Sequence, residues 1–381
     1  MHDSENDSIK IQSTQPGSTR AELMLVLSTL VWGLSFAPAR EVGEISNASL
    51  GLTSSAIGPV LSLGLRFLLA AIIWFGIVGL IRIVRGKKSQ SIQDSIENAS
   101  IQNSSNLSNE SNQSNDSIRS IPISPISPIS KRRATNLSIG VGLLLAIGIM
   151  VQHIALDLLP VDRAESVAAF LTSLTVITVP LLVWIIWRDR PTLSLAVAIV
   201  LAVIGVWLMT RPGAASASTS SKSIAIWGIA FGIVCAIVFA GHIIAVNAVA
   251  PRVSPSRLNG VQFIVVGIVC LIVALIMMML TNRWPSWPVE KLDRWLLNTM
   301  LLIAGPTILS YAIMAIYQPR VSPVRAAIIY MLEPVFATIF AWMWASKALE
   351  QIAIIGAALI LMANVVAEIG PRFTRQKFSK S

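Results

Sequence analysis

The sequence predicts an all-α polytopic membrane protein: ten transmembrane helices arranged as two inverted five-helix repeats. Three observations carry that expectation. Hydrophobic residues make up 54% of the 381 residues and charged ones only 13%, with a mean hydropathy of +0.71. The apolar residues come in blocks of about 20, the length at which a helix rising about 1.5 Å per residue crosses a hydrocarbon core of about 30 Å. The two halves also share an order of small and aromatic residues, as proteins built from internal repeats do. This composition excludes a soluble globular chain. The net charge of +10 does not point to nucleic acid, because the basic residues lie mostly between the apolar blocks, where they act as orientation signals.

Taken in order, residues 1–20 form a polar tail holding Asp3, Glu5 and Asp7. No small-residue cleavage site follows the first apolar run, so a cleaved signal peptide is not expected. Apolar runs fall near 21–39, 59–82, 136–156, 165–187, 192–210, 224–249, 259–281, 295–317, 326–345 and 351–369. Residues 21–82 therefore hold transmembrane helices 1 and 2, 136–210 hold helices 3–5, and 224–369 hold helices 6–10. The stretch 83–135 is rich in Ser, Asn and Gln, with prolines at 122, 125 and 128. It cannot bury a core and reads as a disordered cytoplasmic linker. Residues 370–381 form a basic tail. With the N-terminus inside, 20 Lys and Arg residues fall on the inner side and eight on the outer, so both termini are expected in the cytoplasm. Shifting the chain by 158 positions lays Ala168-Ala169 on Ala326-Ala327, Trp184 on Trp342, Ala198 on Gly356 and Gly205 on Ala363. Five spans per half is an odd number, so such a duplication is inverted.

Polar groups at membrane depth are costly and mark candidate sites. Those selected as cavity residues are Trp32, Ser35, Gln152, His153, Thr172, His242, Tyr311 and Glu333. Thr172 and Thr175 share one helical face, as do Thr307, Tyr311, Met314 and Gln318, and such stripes line a polar cavity or bond neighbouring helices. His242 follows a face of small residues, Gly228, Gly232, Ala236 and Ala240, that calls for close helix packing. It suits a substrate carboxylate, against the plainer role of a satisfied core histidine. Two charges lie within spans: Arg66, about two turns from the outer end of the second, and Glu333, about two turns from the inner end of the ninth. Those depths differ, so no pairing is expected. Pro334 frees the Tyr330 carbonyl, which gives a protonated Glu333 a local structural partner. Cys235 and Cys270 both lie in apolar runs and read as small core hydrophobes.

Four phrases then carry a resemblance. Leu30-Val31-Trp32-Gly33-Leu34-Ser35-Phe36, Leu65-Arg66-Phe67-Leu68-Leu69-Ala70, Phe170-Leu171-Thr172-Ser173-Leu174, and Val321-Ser322-Pro323-Val324-Arg325-Ala326-Ala327 followed by Leu332-Glu333-Pro334 resemble the EamA-type permeases of the drug/metabolite transporter superfamily. The resemblance implies a central cavity between two inverted repeats. It also implies export or exchange of a small metabolite, amino acid or drug across the plasma membrane by alternating access. Where the family often has a Glu just after the fourth and ninth spans, this chain has Arg188-Asp189-Arg190 and Ser346-Lys347.

The expected partners are a small-molecule substrate and the lipid bilayer, with a proton as candidate coupling ion and no nucleic acid. No cofactor or metal is expected, since no metal-spaced Cys pair, His-Glu-X-X-His or phosphate-cradling loop occurs in the sequence. For the same reason the chain is not expected to be an enzyme. Two competing readings are a membrane-embedded enzyme acting on a lipid-linked substrate and a non-transporting sensor that uses the linker for docking.

Overall fold

The computed structural model describes residues 19–53, 55–104, 130–158, 171–188, 192–210, 222–286, 290–345 and, except for 353, 357 and 364, 351–366. The tails, residues 105–129 of the Pro-containing linker and the start of the fourth run lie outside these. Among the described residues all regular structure is helical: α1 Thr19–Gly33, α2 Phe36–Ser49, α3 Ile57–Ser104, α4 Lys131–Leu158, α5 Thr175–Trp187, α6 Leu193–Thr210, α7 Lys222–Val249, α8 Pro255–Thr281, α9 Leu292–Leu302, α10 Ser310–Tyr317, α11 Pro323–Tyr330 and α12 Glu333–Ala345. A π-helical stretch, Ile303–Leu309, joins α9 to α10.

Six helical segments are long and apolar enough to cross a membrane: Thr19–Ser49, Ile57–Val84, Lys131–Leu156, Trp227–Val249, Pro255–Thr281 and Leu292–Arg320. Leu171–Trp187, Leu193–Gly205 and Ile354–Ala363 are shorter apolar helices. The ninth run is divided between α11 and α12 by a turn at Met331–Leu332. The ten expected runs are thus helical where described apart from turns at 34–35, 174 and 331–332, but six helical segments, not ten, have crossing length among the described residues. Large apolar side chains on the outer faces, such as Ile72, Leu80, Ile185 and Leu280, are exposed, as a lipid-facing surface requires.

One expectation is corrected at the linker. Helix α3 runs on to Ser104, through residues 83–104 that were read as disordered. Polar composition does not by itself break a helix: this stretch has no Pro and only one Gly, Gly86, and beside its serines it holds three Gln, two Lys and four Ile, which a helix accommodates. The prolines begin at Pro122.

Helix breaks recur where prolines withdraw a donor. Pro38 cannot bond the Leu34 carbonyl, and the chain turns at Leu34–Ser35 between α1 and α2, with Ser35 N donating to Trp32 O (2.8 Å). Pro306 cannot bond the Leu302 carbonyl. There the Thr307 hydroxyl donates to it instead (2.9 Å), and the backbone widens to the π form. Pro334 follows the turn between α11 and α12.

Close packing of small residues brings the helices together, as expected in lipid, where apolar burial alone gives little drive. Helix α3 packs along α8. A Cβ on Gly64 would lie 2.8 Å from Leu271 Cγ and 3.0 Å from its backbone N, while one on Gly267 would lie 2.7 Å from Leu68 Cγ and 3.0 Å from its N. Helix α4 packs on α7 and α8, α1 on α10, α11 and α12, and α5 on α7 and α11. The small face of α7 makes the close contacts expected of it. Ala236 and Ala240 are fully buried, and a Cβ on Gly232 would meet Leu171 Cβ at 2.8 Å. Cys235 and Cys270 are buried free thiols.

Candidate functional site

The interrupted helices surround one cavity of about 120 Å³. Residues around the α1–α2 break supply Trp32, Ser35, Phe36 and Ala39, and α3 supplies Arg66. Helix α4 supplies Ile149, Gln152 and His153, while the 172–175 stretch adds Thr172, Ser173 and Thr175. Helix α7 contributes Phe239 and His242; Pro306, Tyr311 and Met314 come from the π stretch and α10, and Tyr330 and Glu333 flank the last break. All eight residues singled out from sequence, Trp32, Ser35, Gln152, His153, Thr172, His242, Tyr311 and Glu333, therefore line the same space. Sequence reasoning did not select Arg66, Phe239 or Tyr330 as cavity residues. Arg66 had a signal, its charge at depth; the two aromatics had none that separates them from ordinary core.

The walls are held by hydrogen bonds that cross between helices. Trp32 Nε1 donates to the Pro306 carbonyl (3.0 Å), which lies within the π stretch. The Trp32 ring packs edge-on against Tyr311 and Tyr330, with centroids 5.6 and 5.3 Å away. Gln152 Nε2 donates to Thr172 Oγ1 (3.1 Å), so this Thr bonds a neighbouring helix and faces the cavity at once. Cys235 Sγ donates to the Gly148 carbonyl (3.5 Å).

The hydrogen-bond chain behind His242 fixes its tautomer. The Tyr311 carbonyl can only accept, and it accepts from Asn259 Nδ2 (3.1 Å). Asn259 Oδ1 then accepts from Gln262 Nε2 (3.4 Å), which leaves Gln262 Oε1 to accept from His242 Nε2 (3.0 Å). In the neutral ring Nδ1 is thus an acceptor. His153 is oriented oppositely: its Nδ1 faces the Ile149 carbonyl (2.9 Å), so Nε2 is its acceptor. His242 is satisfied on one nitrogen, as its plainer reading expects, and it also lines the cavity.

The two in-span charges face this space without joining. Arg66 is buried (9% exposed), and its Nε donates to Thr307 Oγ1 (3.0 Å). No ion pair links it to Glu333 among the described residues. The Glu333 carboxyl makes no hydrogen bond there either, so the contact with the Tyr330 carbonyl expected from sequence is not formed. The turn at Met331–Leu332 places Glu333 at the start of a new helix, where its side chain lines the cavity.

At the end of the bundle where α1 begins and α10 finishes, a polar network links α7, the end of α10 and α11. Tyr330 Oη donates to Gln318 Oε1 (2.8 Å). Gln318 Nε2 donates to the Ile243 carbonyl (2.8 Å) and to Asn247 Oδ1, and Asn247 Nδ2 donates to the Val321 carbonyl (2.8 Å). Arg325 pairs with Glu22 nearby (2.9 Å). Among the described residues no group of three or more His, Cys, Asp or Glu could hold a metal ion.

Interrupted apolar helices of membrane-crossing length around a mixed polar and aromatic cavity are the features of a multi-pass membrane protein. Residues 226–367 match the EamA-like transporter family. The fold is similar to that of a protein of known crystal structure at a TM-score of 0.61, with 17% identity, over 93% of this chain and 99% of the other. At that identity the likeness speaks for the fold alone. No curated protein matches the sequence.

Proposed function

We propose that the protein is a secondary transporter, an exporter or exchanger, that moves a small organic metabolite, amino acid or drug across the plasma membrane by alternating access. The observation that carries this reading is the convergence of the eight residues singled out from sequence on one cavity at the helix breaks. A carrier needs such a site between moving halves, whereas an enzyme on lipid-linked substrates would need catalytic carboxylates at a membrane face.

The architecture proposed for it is ten spans in two inverted repeats, with both termini in the cytoplasm. Reciprocal packing supports the repeat. The first span meets the eighth and ninth as the sixth meets the third and fourth, and the second meets the seventh. The bond from Trp32 to the Pro306 carbonyl has its counterpart in the bond from Cys235 to the Gly148 carbonyl. Gly64 on Leu271 is likewise answered by Gly267 on Leu68. In the alternating cycle the Tyr330–Gln318–Asn247 network and the Glu22–Arg325 pair form the closed inner end, and they must part for the cavity to open inward. A proton is the proposed coupling ion.

The reading is tested with purified protein in liposomes. Saturable counterflow of a small solute is expected. Absence of flux across a broad solute panel, together with chemical alteration of a lipid-linked substrate, would replace the transporter by the enzyme.

A further inference from the structure

We propose that helix α7 is hinged at Gly241, and that its last turns, residues 242–249, swing as the inner gate of the cavity while the preceding turns stay packed on the first half. This rests on the alternating-access reading and says where the motion lies: a bend within one helix, in place of rocking of the halves as rigid bodies.

The partners of α7 change at this glycine. Before it, Cys235 Sγ donates to the Gly148 carbonyl (3.5 Å), and the Ala236 carbonyl accepts from Thr178 Oγ1 (3.2 Å). Those bonds hold α7 to α4 and α5. From His242 onward the side-chain bonds go elsewhere. His242 Nε2 donates to Gln262 on α8 (3.0 Å), and the Ile243 carbonyl accepts from Gln318 Nε2 (2.8 Å). Asn247 bonds both Gln318 and the Val321 carbonyl. Every bond by which α7 joins the closed inner end therefore lies beyond Gly241.

Packing does not require a glycine at this position. Among the described residues a Cβ on Gly241 would meet only Leu144 Cδ2, at an ordinary 3.9 Å, whereas one on Gly232 would lie 2.3 Å from Leu171 Cδ1. A glycine inside a helix weakens it, because its backbone has more freedom to lose. Helix α7 thus has a weak point between two differently anchored stretches. Bending there loosens the helix bond from Ala240 N to the Ala236 carbonyl. Thr178 already donates to that carbonyl, so it is not left bare within the membrane. The first half holds a formed example of such a bend. Trp32 and Cys235 are 203 positions apart, as are Gly64 and Gly267, and the same shift lays Pro38 on Gly241 and Leu34–Ser35 on Ile237–Val238. The first span turns at Leu34–Ser35, while α7 is continuous.

The test uses the full chain carrying Cys235→Ser, Cys270→Ala and Thr172→Cys, which leaves one thiol, on the cavity wall. An impermeant methanethiosulfonate is applied to inside-out vesicles or to intact cells, and the rate of modification is read from each side. Gly241→Ala should slow modification from the inner side about fivefold, the factor to which the difference in helix propensity between Gly and Ala corresponds. It should not slow modification from the outer side or lower the unfolding temperature. Gly241→Pro, which cannot donate to the Ile237 carbonyl, should speed modification from the inner side. Gly140→Ala, on α4 with nothing within 4 Å of the added methyl, should change neither rate. Equal inner-side rates in Gly241→Ala and its parent would overturn the hinge and leave alternating access standing, and so would the same slowing in Gly140→Ala. No inner-side modification of the parent or of Gly241→Pro would overturn both.

Discussion

Thr307 shows how one side chain can serve both the backbone and the site. Its hydroxyl donates to the carbonyl that Pro306 leaves free and accepts from Arg66. Thr307→Val keeps the shape and removes both bonds, so it should cost about 1–3 kcal/mol, read as a lower unfolding temperature of the purified protein; Thr307→Ser should retain most of it. At this scale the sequence was informative because an in-span polar group is expensive and so rarely incidental. That reasoning found Trp32, Gln152, His153 and His242, all of which line the cavity. It missed the shared location of Arg66 and Glu333. Depths counted from the ends of runs assume straight, parallel helices, and the breaks at Leu34–Ser35 and Met331–Leu332 defeat that count.

At the scale of elements, the paired Gly64 and Gly267 contacts set the distance between α3 and α8. Gly64→Ala and Gly267→Ala each force a methyl to within 3.0 Å of a backbone nitrogen on the facing helix. Overpacking of this kind costs about 1–3 kcal/mol. The two variants should lower thermal stability by similar amounts, whereas Gly76→Ala, with nothing within 4 Å, should not. A marked loss for Gly76→Ala alone would contradict the packing described. The small face of α7 was legible because its four-residue period is a helical one. The π stretch was not, since a Pro within an apolar run is compatible with a kink, a break or a wider turn. Nor was the extension of α3 to Ser104, because low-complexity polar sequence resembles a linker whether or not it is helical.

For the whole molecule, the proposed orientation rests on the excess of Lys and Arg on one side, and reciprocal packing supports the proposed repeat. In a background free of Cys235 and Cys270, Glu290→Cys should react with an impermeant thiol reagent on intact cells and Ser130→Cys should not; both positions are exposed. Reversal of that pattern would invert the proposed topology. The central claim is that solute crosses through the cavity between the halves. Its most direct measurement is counterflow in liposomes by the wild type and by Thr172→Trp, which fills the cavity beside Gln152. The predicted result is saturable counterflow by the wild type and its loss in Thr172→Trp, with the variant still monodisperse and of similar unfolding temperature. Counterflow undiminished in a folded Thr172→Trp protein would contradict the account.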